Sequence, residues 1–273
     1  RQRKLDHCKR AWAFRYVERR EKPPTVPTAV GKIVHRALEL LVADGHPRDR
    51  HGMRAACAQA WAEREDAWLP DCHKATVWWP ASAWLAVRNL LLAAYRSAER
   101  RIDVIANGVP LTVIHDWLAV TEARLTIGDY KSGRWPKPKY RPDKLAENKR
   151  QLVLGALALQ AVGDEPPAAA RVDYLGEGGP QHAEWGVTPA VLAHAADWLA
   201  AQWGDVQSMV AAHGARAVDY PASTGPLCAW CPWAAECPEG RANVLARLDL
   251  GRCQPDNPGA AAILASRNHD ETF

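Results

Sequence analysis

The stretch Ile127-Gly128-Asp129-Tyr130-Lys131-Ser132-Gly133 decides how the chain is read. It ends a short run rich in Val, Ile, Leu and Thr, Ala123–Tyr130, which follows a similar run, Leu111–Val120. The residues between them, Thr121–Ala123, are few enough for a tight turn, so the two runs read as an antiparallel strand pair. Side chains alternate along a strand, which puts Asp129 and Lys131 on one face. The preceding strand carries Asp116, in Val113-Ile114-His115-Asp116-Trp117, and antiparallel pairing brings Asp116 towards Asp129. Two facing carboxylates repel, and a hard divalent cation resolves that repulsion. Lys131 beside them could orient or deprotonate a water and offset charge on a phosphate. The bland alternative is a surface ion pair next to a turn, and a D-x-K tripeptide alone does not decide between them.

Working outward, the pattern predicts helices near 5–20, 28–43, 51–69 and 81–104, with prolines at 23, 24 and 27 breaking the chain and a turn at Gly108–Pro110. A proline-containing loop, Gly133–Pro142, leads to a helix over 144–162. Strands are expected at Arg171–Gly176 and His182–Val187, and Thr188-Pro189 opens a long helix to about Ala212. Helices, two strands, a helix, two strands and a helix make an α/β core with a helical insertion. We expect one domain over 1–253, with a mainly helical part at 28–105, an α/β core at 109–212, and a flexible tail at 254–273.

The chain has 273 residues and a net charge of +4. Its basic residues are concentrated. Residues 1–22 and 131–150 each carry +6, so the remainder stands at −8. Two basic segments on an acidic chain suit phosphates, although solvated surfaces would look the same. Trp135 and Tyr140 lie in the second segment with Lys137, Lys139, Arg141, Lys149 and Arg150. Aromatics interleaved with cations suit single-stranded nucleic acid. No apolar run approaches the roughly 18–20 residues that span a bilayer, and no secretory pattern is visible, so no membrane partner and a cytoplasmic location are expected.

Seven cysteines is an odd number. Three of them form C-x2-C-x5-C at Cys228, Cys231 and Cys237, and Cys8 is the natural fourth ligand. On spacing alone, structural Zn²⁺ is slightly favoured over iron–sulfur. Cys57, Cys72 and Cys253 have no matching partners.

Two further elements complete a recognisable order. Gly31-Lys32-Ile33-Val34-His35 places an imidazole on a helix, and Gln151 begins the apolar helix face after Lys149 and Arg150. G-x-x-x-H, an Asp on a strand, G-D-Y-K-S-G and a helical Gln together resemble the PD-(D/E)XK nucleases of the RecB and AddB type, most of all the CRISPR-associated Cas-four iron–sulfur exonucleases. The resemblance implies a restriction-endonuclease-like fold, with a small mixed sheet flanked by helices. It implies Mg²⁺ or Mn²⁺ held by His35, Asp116, Asp129 and the carbonyl of Tyr130, with Lys131 catalytic and Gln151 orienting its surroundings. It reverses the order of the cysteine readings, implying a [4Fe–4S] cluster on Cys8, Cys228, Cys231 and Cys237 that joins the N-terminal segment to 226–240. It also implies a DNA exonuclease acting on single strands or ends in recombination, replication, repair or phage DNA processing, with a helicase, recombinase or CRISPR-type integrase as a partner. The alternative from another class is a non-catalytic iron–sulfur or zinc DNA-binding subunit. Two departures stand out. Gly155 occupies a position where the family usually has tyrosine, and His115 precedes Asp116 where glycine is common. Alternation turns His115 away from Asp116, which suits a structural role.

Overall fold

In the computed structural model, which describes residues 8–43, 49–87, 95–178 and 180–270, the expected strand pair is present. It consists of β2 (Val109–Thr121) and β3 (Arg124–Lys131), joined by Glu122 and Ala123 in left-handed backbone conformation. With β1 (Tyr95–Ala106), β4 (Ala169–Tyr174) and β5 (Gln181–Gly186) they form a sheet of order β1-β2-β3-β4-β5. The β3–β4 pair is parallel and the other pairs are antiparallel. A parallel step needs a crossover, and the helix between β3 and β4, α5 (Arg141–Ala161), supplies it.

Both faces of the sheet are covered, and strand alternation sorts its side chains between two cores. Trp117, Ala119 and Tyr130 pack with α2 (Val26–Ala43), α3 (Arg50–Ala62) and α4 (Lys74–Val87), through residues such as Val34, Leu38, Met53 and Trp84. Leu118, Ile127 and Val172 pack with Leu152, Ala156 and Leu159 of α5 and with Leu192 of α6 (Pro189–His213). Every residue of β4 is buried, and its two charged side chains, Arg171 and Asp173, pair with each other at 2.8–2.9 Å. At Gly155, where the resemblance would place a tyrosine, α5 comes close to the sheet: a Cβ there would lie 2.7 Å from Ile127 Cδ1, so a larger residue would push the end of that side chain aside.

One element differs in kind from the sequence reading. The helix expected over 81–104 ends at Val87, and Tyr95–Ala106 is β1. Residues 88–94 lie outside the described residues, as do 5–7 of the first expected helix, which is observed as α1 (Lys9–Tyr16). The strand wins because Ile102, Val104 and Ala106 alternate onto the α5-side core. Asn107 and Gly108, both at positive φ, then close a hairpin with β2.

By contacts the chain divides into Pro24–Ala201, which holds the sheet, and a unit made of Arg1–Pro23 with Gln202–Phe273. The second unit contains α1, α7 (Pro238–Asp249) and α8 (Pro258–Asp270). Arg10 is buried there, donating from Nε to the Tyr220 carbonyl at 2.8 Å and from its guanidinium to Glu239. The segment 254–273, read from sequence as a flexible tail, contains α8. Its Ala260 and Ile263 are fully buried against Ala229, Ala234 and Val244, and an apolar face buried in this way outweighs the polar composition that suggested fraying. Among the described residues no helix is long and apolar enough to cross a membrane.

Candidate active site

The β2–β3 ladder runs as far as Trp117 paired with Gly128 and then stops. Beyond that point the N–H of Tyr130 is taken by a side chain, donating to Asp116 Oδ2 at 2.6 Å. Asp116 and Asp129 are both buried at this divergence. Asp129 Oδ1 accepts from Gln151 Nε2 of α5 at 3.1 Å, and its Oδ2 lies 2.5 Å from Lys131 Nζ. His35 arrives from α2. One ring nitrogen, Nε2, lies 3.2 Å from the Tyr130 carbonyl oxygen, and the other, Nδ1, lies 3.0 Å from Glu99 Oε1 and 3.5 Å from Asp116 Oδ2. His35, Asp116, Asp129, Tyr130, Lys131 and Gln151 are thus brought together from one helix, two strands and a second helix.

The electrostatics follow from this crowding. Burial raises the pKa of Asp116 well above the usual carboxylate range, and the charge of Asp129 raises it further. For His35, burial disfavours the imidazolium, but the Glu99 hydrogen bond and the charges of Asp116, Glu99 and Asp129 outweigh it and push the pKa up to about 9. Burial likewise opposes charge on Lys131, and Asp129 more than restores it, leaving its pKa raised. A buried carboxylate held above its normal range next to a second acidic residue marks a site short of positive charge. The donor set fits a hard divalent cation: carboxylate oxygens, a backbone carbonyl and an imidazole nitrogen. The 3.2 Å between His35 Nε2 and the Tyr130 oxygen is also close to the roughly 3 Å edge of an octahedron with about 2.1 Å bonds.

Glu99 was missed from sequence. Its segment reads as helix, whereas in β1 it falls between Ala98, paired with Trp117, and Arg100, paired with His115, opposite Asp116. The available signal was the Asn107-Gly108 hairpin turn, which would have made 95–106 a strand. Among the described residues, His35, Glu99 and Asp116 form a group whose ligand atoms all lie within 4.8 Å. His35 and Glu99 also wall an open groove of about 400 Å³ with Gly31, Lys32 and Arg36. His115 is buried, with Nε2 2.8 Å from Ser97 Oγ; burial lowers its pKa to about 4, so it is neutral.

The basic segment is presented unevenly. Tyr140 is exposed beside Lys139, whereas Trp135 packs edge-on against Tyr174 at 5.1 Å under Arg141. Lys137 is exposed, Lys149 lies on α5, and Arg150 stacks over Trp198 at 4.8 Å. None of the seven cysteines is in a disulfide, and five of them, Cys8, Cys228, Cys231, Cys237 and Cys253, lie in the other unit. Cys8 stands at the N-cap position of α1 without a side-chain cap hydrogen bond, Cys237 caps α7 by accepting from Gly240 N at 3.4 Å, and Cys228 lies within a short 3₁₀ turn, Pro226–Trp230, that Cys231 ends. Burial raises the pKa of Cys228, and that of Cys231 to about 11; the charges of Cys8 and Cys237 add to both shifts, so the four thiols sense one another.

A two-faced mixed sheet with acidic residues and a lysine at a strand divergence defines the class. The sequence model of the PD-(D/E)XK nuclease superfamily matches residues 1–238, and the chain belongs to that superfamily. The superfamily is one of nucleases that use divalent metal ions, with DNA as substrate. Among solved structures the chain is similar to one titled "Crystal structure of SSO0001", at 11% identity and a TM-score of 0.34, over 84% of this chain and 95% of that one. A similarity at that level carries no argument about function. No curated protein matches the chain.

Proposed function

We propose that this chain is a Mg²⁺- or Mn²⁺-dependent DNA exonuclease acting on single strands or DNA ends, with a RecB- or Cas-four-like site. The observation that carries the reading is the grouping of His35, Asp116 and the Tyr130 carbonyl at the strand divergence, with Asp129 adding its charge there and lying 2.5 Å from Lys131 Nζ. His35, Asp116, Asp129 and the Tyr130 oxygen would hold the cation. A bound divalent ion supplies Lewis-acid stabilisation of the phosphoryl oxygens and makes a water more acidic. Lys131, kept protonated by Asp129, orients the attacking water and places its charge against the scissile phosphate. Gln151 holds Asp129 Oδ1 and so fixes the rotamer on which Lys131 depends. Tyr140, Lys137, Lys139, Lys149 and Arg150 supply an exposed track for the strand, with Arg141 and Trp135 as its packed floor.

The same reading assigns Cys8, Cys228, Cys231 and Cys237 to a [4Fe–4S] cluster, with structural Zn²⁺ as the alternative. A tetrahedral zinc with bonds of about 2.3 Å gathers its sulfurs to roughly 3.8 Å of one another. In a cluster each sulfur binds a different iron, so its sulfurs stand further apart. Metal analysis and visible absorbance after anaerobic purification decide between iron and zinc.

Cleavage of end-labelled single-stranded DNA with Mn²⁺, with and without a chelator, tests the enzyme reading. Asp116→Ala and Lys131→Ala should abolish it; undiminished cleavage in both would refute the site. DNA binding without cleavage by the wild-type chain would instead favour a non-catalytic subunit, or one that requires a helicase or integrase partner.

A further inference from the structure

Glu99 has no part in the chemistry above, yet it occupies an unusual backbone position. Its φ is +47°, a left-handed conformation inside a strand. Such a conformation is costly for a residue with a side chain and persists where surrounding contacts hold it. The contact here is His35, whose Nδ1 lies 3.0 Å from Glu99 Oε1. A carboxylate has only lone pairs to offer, so the imidazole must be the donor. With one proton held at Nδ1, loss of the other on cation binding leaves the lone pair at Nε2, the nitrogen 3.2 Å from the Tyr130 carbonyl. Imidazoles that bind metals commonly donate their second N–H to such a partner, which fixes both tautomer and ring orientation.

We propose that Glu99 is a positioning residue that holds His35 in the Nδ1–H form and aims Nε2 at the cation position. The proposal rests on the metal-centre reading given above. Its competitor is direct coordination by Glu99, since its carboxylate also lies within 4.8 Å of the His35 and Asp116 ligand atoms. Glutamine separates the two roles, because its carbonyl can still accept from Nδ1 but replaces a carboxylate poorly as a ligand.

The test is Mn²⁺ binding to the intact chain without DNA, by calorimetry or by the EPR signal of free Mn²⁺. Glu99→Gln should bind within about threefold of wild type, and Glu99→Ala about 10- to 100-fold more weakly. His35→Ala should lose a similar amount, and His35→Ala with Glu99→Ala should lose no more than His35→Ala alone. Wild-type affinity in Glu99→Ala overturns the proposal. So does a Glu99→Gln as weak as Glu99→Ala with losses that add to those of His35→Ala, which would make Glu99 a ligand. If Glu99→Ala fails to fold, Glu99→Asp replaces it: its shorter arm withdraws the acceptor while keeping the charge, so it should bind weakly, and full affinity would overturn the proposal. Unchanged Mn²⁺ affinity in both His35→Ala and Asp116→Ala would sink the metal centre itself, an outcome distinct from failure at Glu99 alone.

Discussion

Asp116 accepts the backbone N–H of Tyr130 at 2.6 Å, at the point where the two strands that carry them stop pairing. The carboxylate therefore substitutes for a missing rung of the ladder while standing next to Asp129, and its structural and chemical duties can be separated by substitution. Asp116→Asn keeps an acceptor and removes a charge from a crowded site, so the variant should melt within a few degrees of wild type and still lose at least about 100-fold in cleavage. Asp116→Ala should also cost about 1–3 kcal/mol, because a buried N–H is left unsatisfied. Thermal melts paired with a Mn²⁺-dependent nuclease assay distinguish the two.

The His35 pKa near 9 makes cation binding a proton-releasing step. In the cation-free protein the raised pKa contributes stability that is present in full below the unfolded value of about 6.5 and is lost as pH rises through about 9. A cation needs the neutral ring, so Mn²⁺ affinity should rise with pH across that window. Calorimetry at pH 7.5 in buffers of different ionisation enthalpy should show a proton released to buffer, and His35→Gln should remove that release. Buffer-independent heats in the wild type would contradict the assignment.

Gln151 reaches Asp129 from the crossover helix. Gln151→Ala leaves the fold intact and should lower cleavage about 10- to 100-fold, as loss of a group that orients a metal-binding residue typically does. Gln151→Glu, which sets a carboxylate against Asp129, should weaken cleavage further. Wild-type activity in both variants would mean that the hydrogen bond has no catalytic consequence.

Tyr140 is exposed among cations, whereas the ring of Trp135 is engaged with Tyr174. Tyr140→Ala should therefore weaken binding of single-stranded DNA by about 1–3 kcal/mol. Lys139→Ala should lower the salt dependence of binding by roughly one phosphate contact. Fluorescence anisotropy over a range of salt concentrations measures both, and an unchanged affinity in Tyr140→Ala would move the strand path elsewhere.

A Cβ on Gly259 would fall 2.5 Å from the Cys228 carbonyl and 2.8 Å from that of Cys231, so the start of α8 rests directly on the cysteine loop. Gly259→Val should cost about 1–3 kcal/mol by overpacking and raise the reactivity of Cys228 and Cys231 towards a thiol reagent in the metal-free protein. Melting curves and thiol labelling followed by peptide mapping read the two effects; unchanged labelling would mean that α8 does not shield the loop.

The sequence determined what depends on short range. Thirteen residues separate Asp116 from Asp129, and a tight turn with two-residue alternation is enough to put both at one end of a strand pair. The Gln151 helix was legible from the loop that follows Lys131, but Gln151 itself was nominated only by resemblance, and its contact with Asp129 belongs to the tertiary structure. Sequence order could nominate His35 only by resemblance, because what brings it to Tyr130, 95 residues away, is the packing of α2 against the sheet. Glu99 was not nominated, because its segment read as helix and only the Asn107-Gly108 turn hinted otherwise. Whether 95–106 is a helix or a strand is settled by its pairing with β2, since strand preference reflects neighbours more than intrinsic backbone bias. The tail from 254 shows the same dependence: a short stretch with mixed composition becomes α8 only because the cysteine loop gives Ala260 and Ile263 somewhere to be buried. Local periodicity fixed the acidic strand pair, while the histidine, the glutamate that holds it and the last helix were decided by burial and pairing partners that no single window of sequence contains.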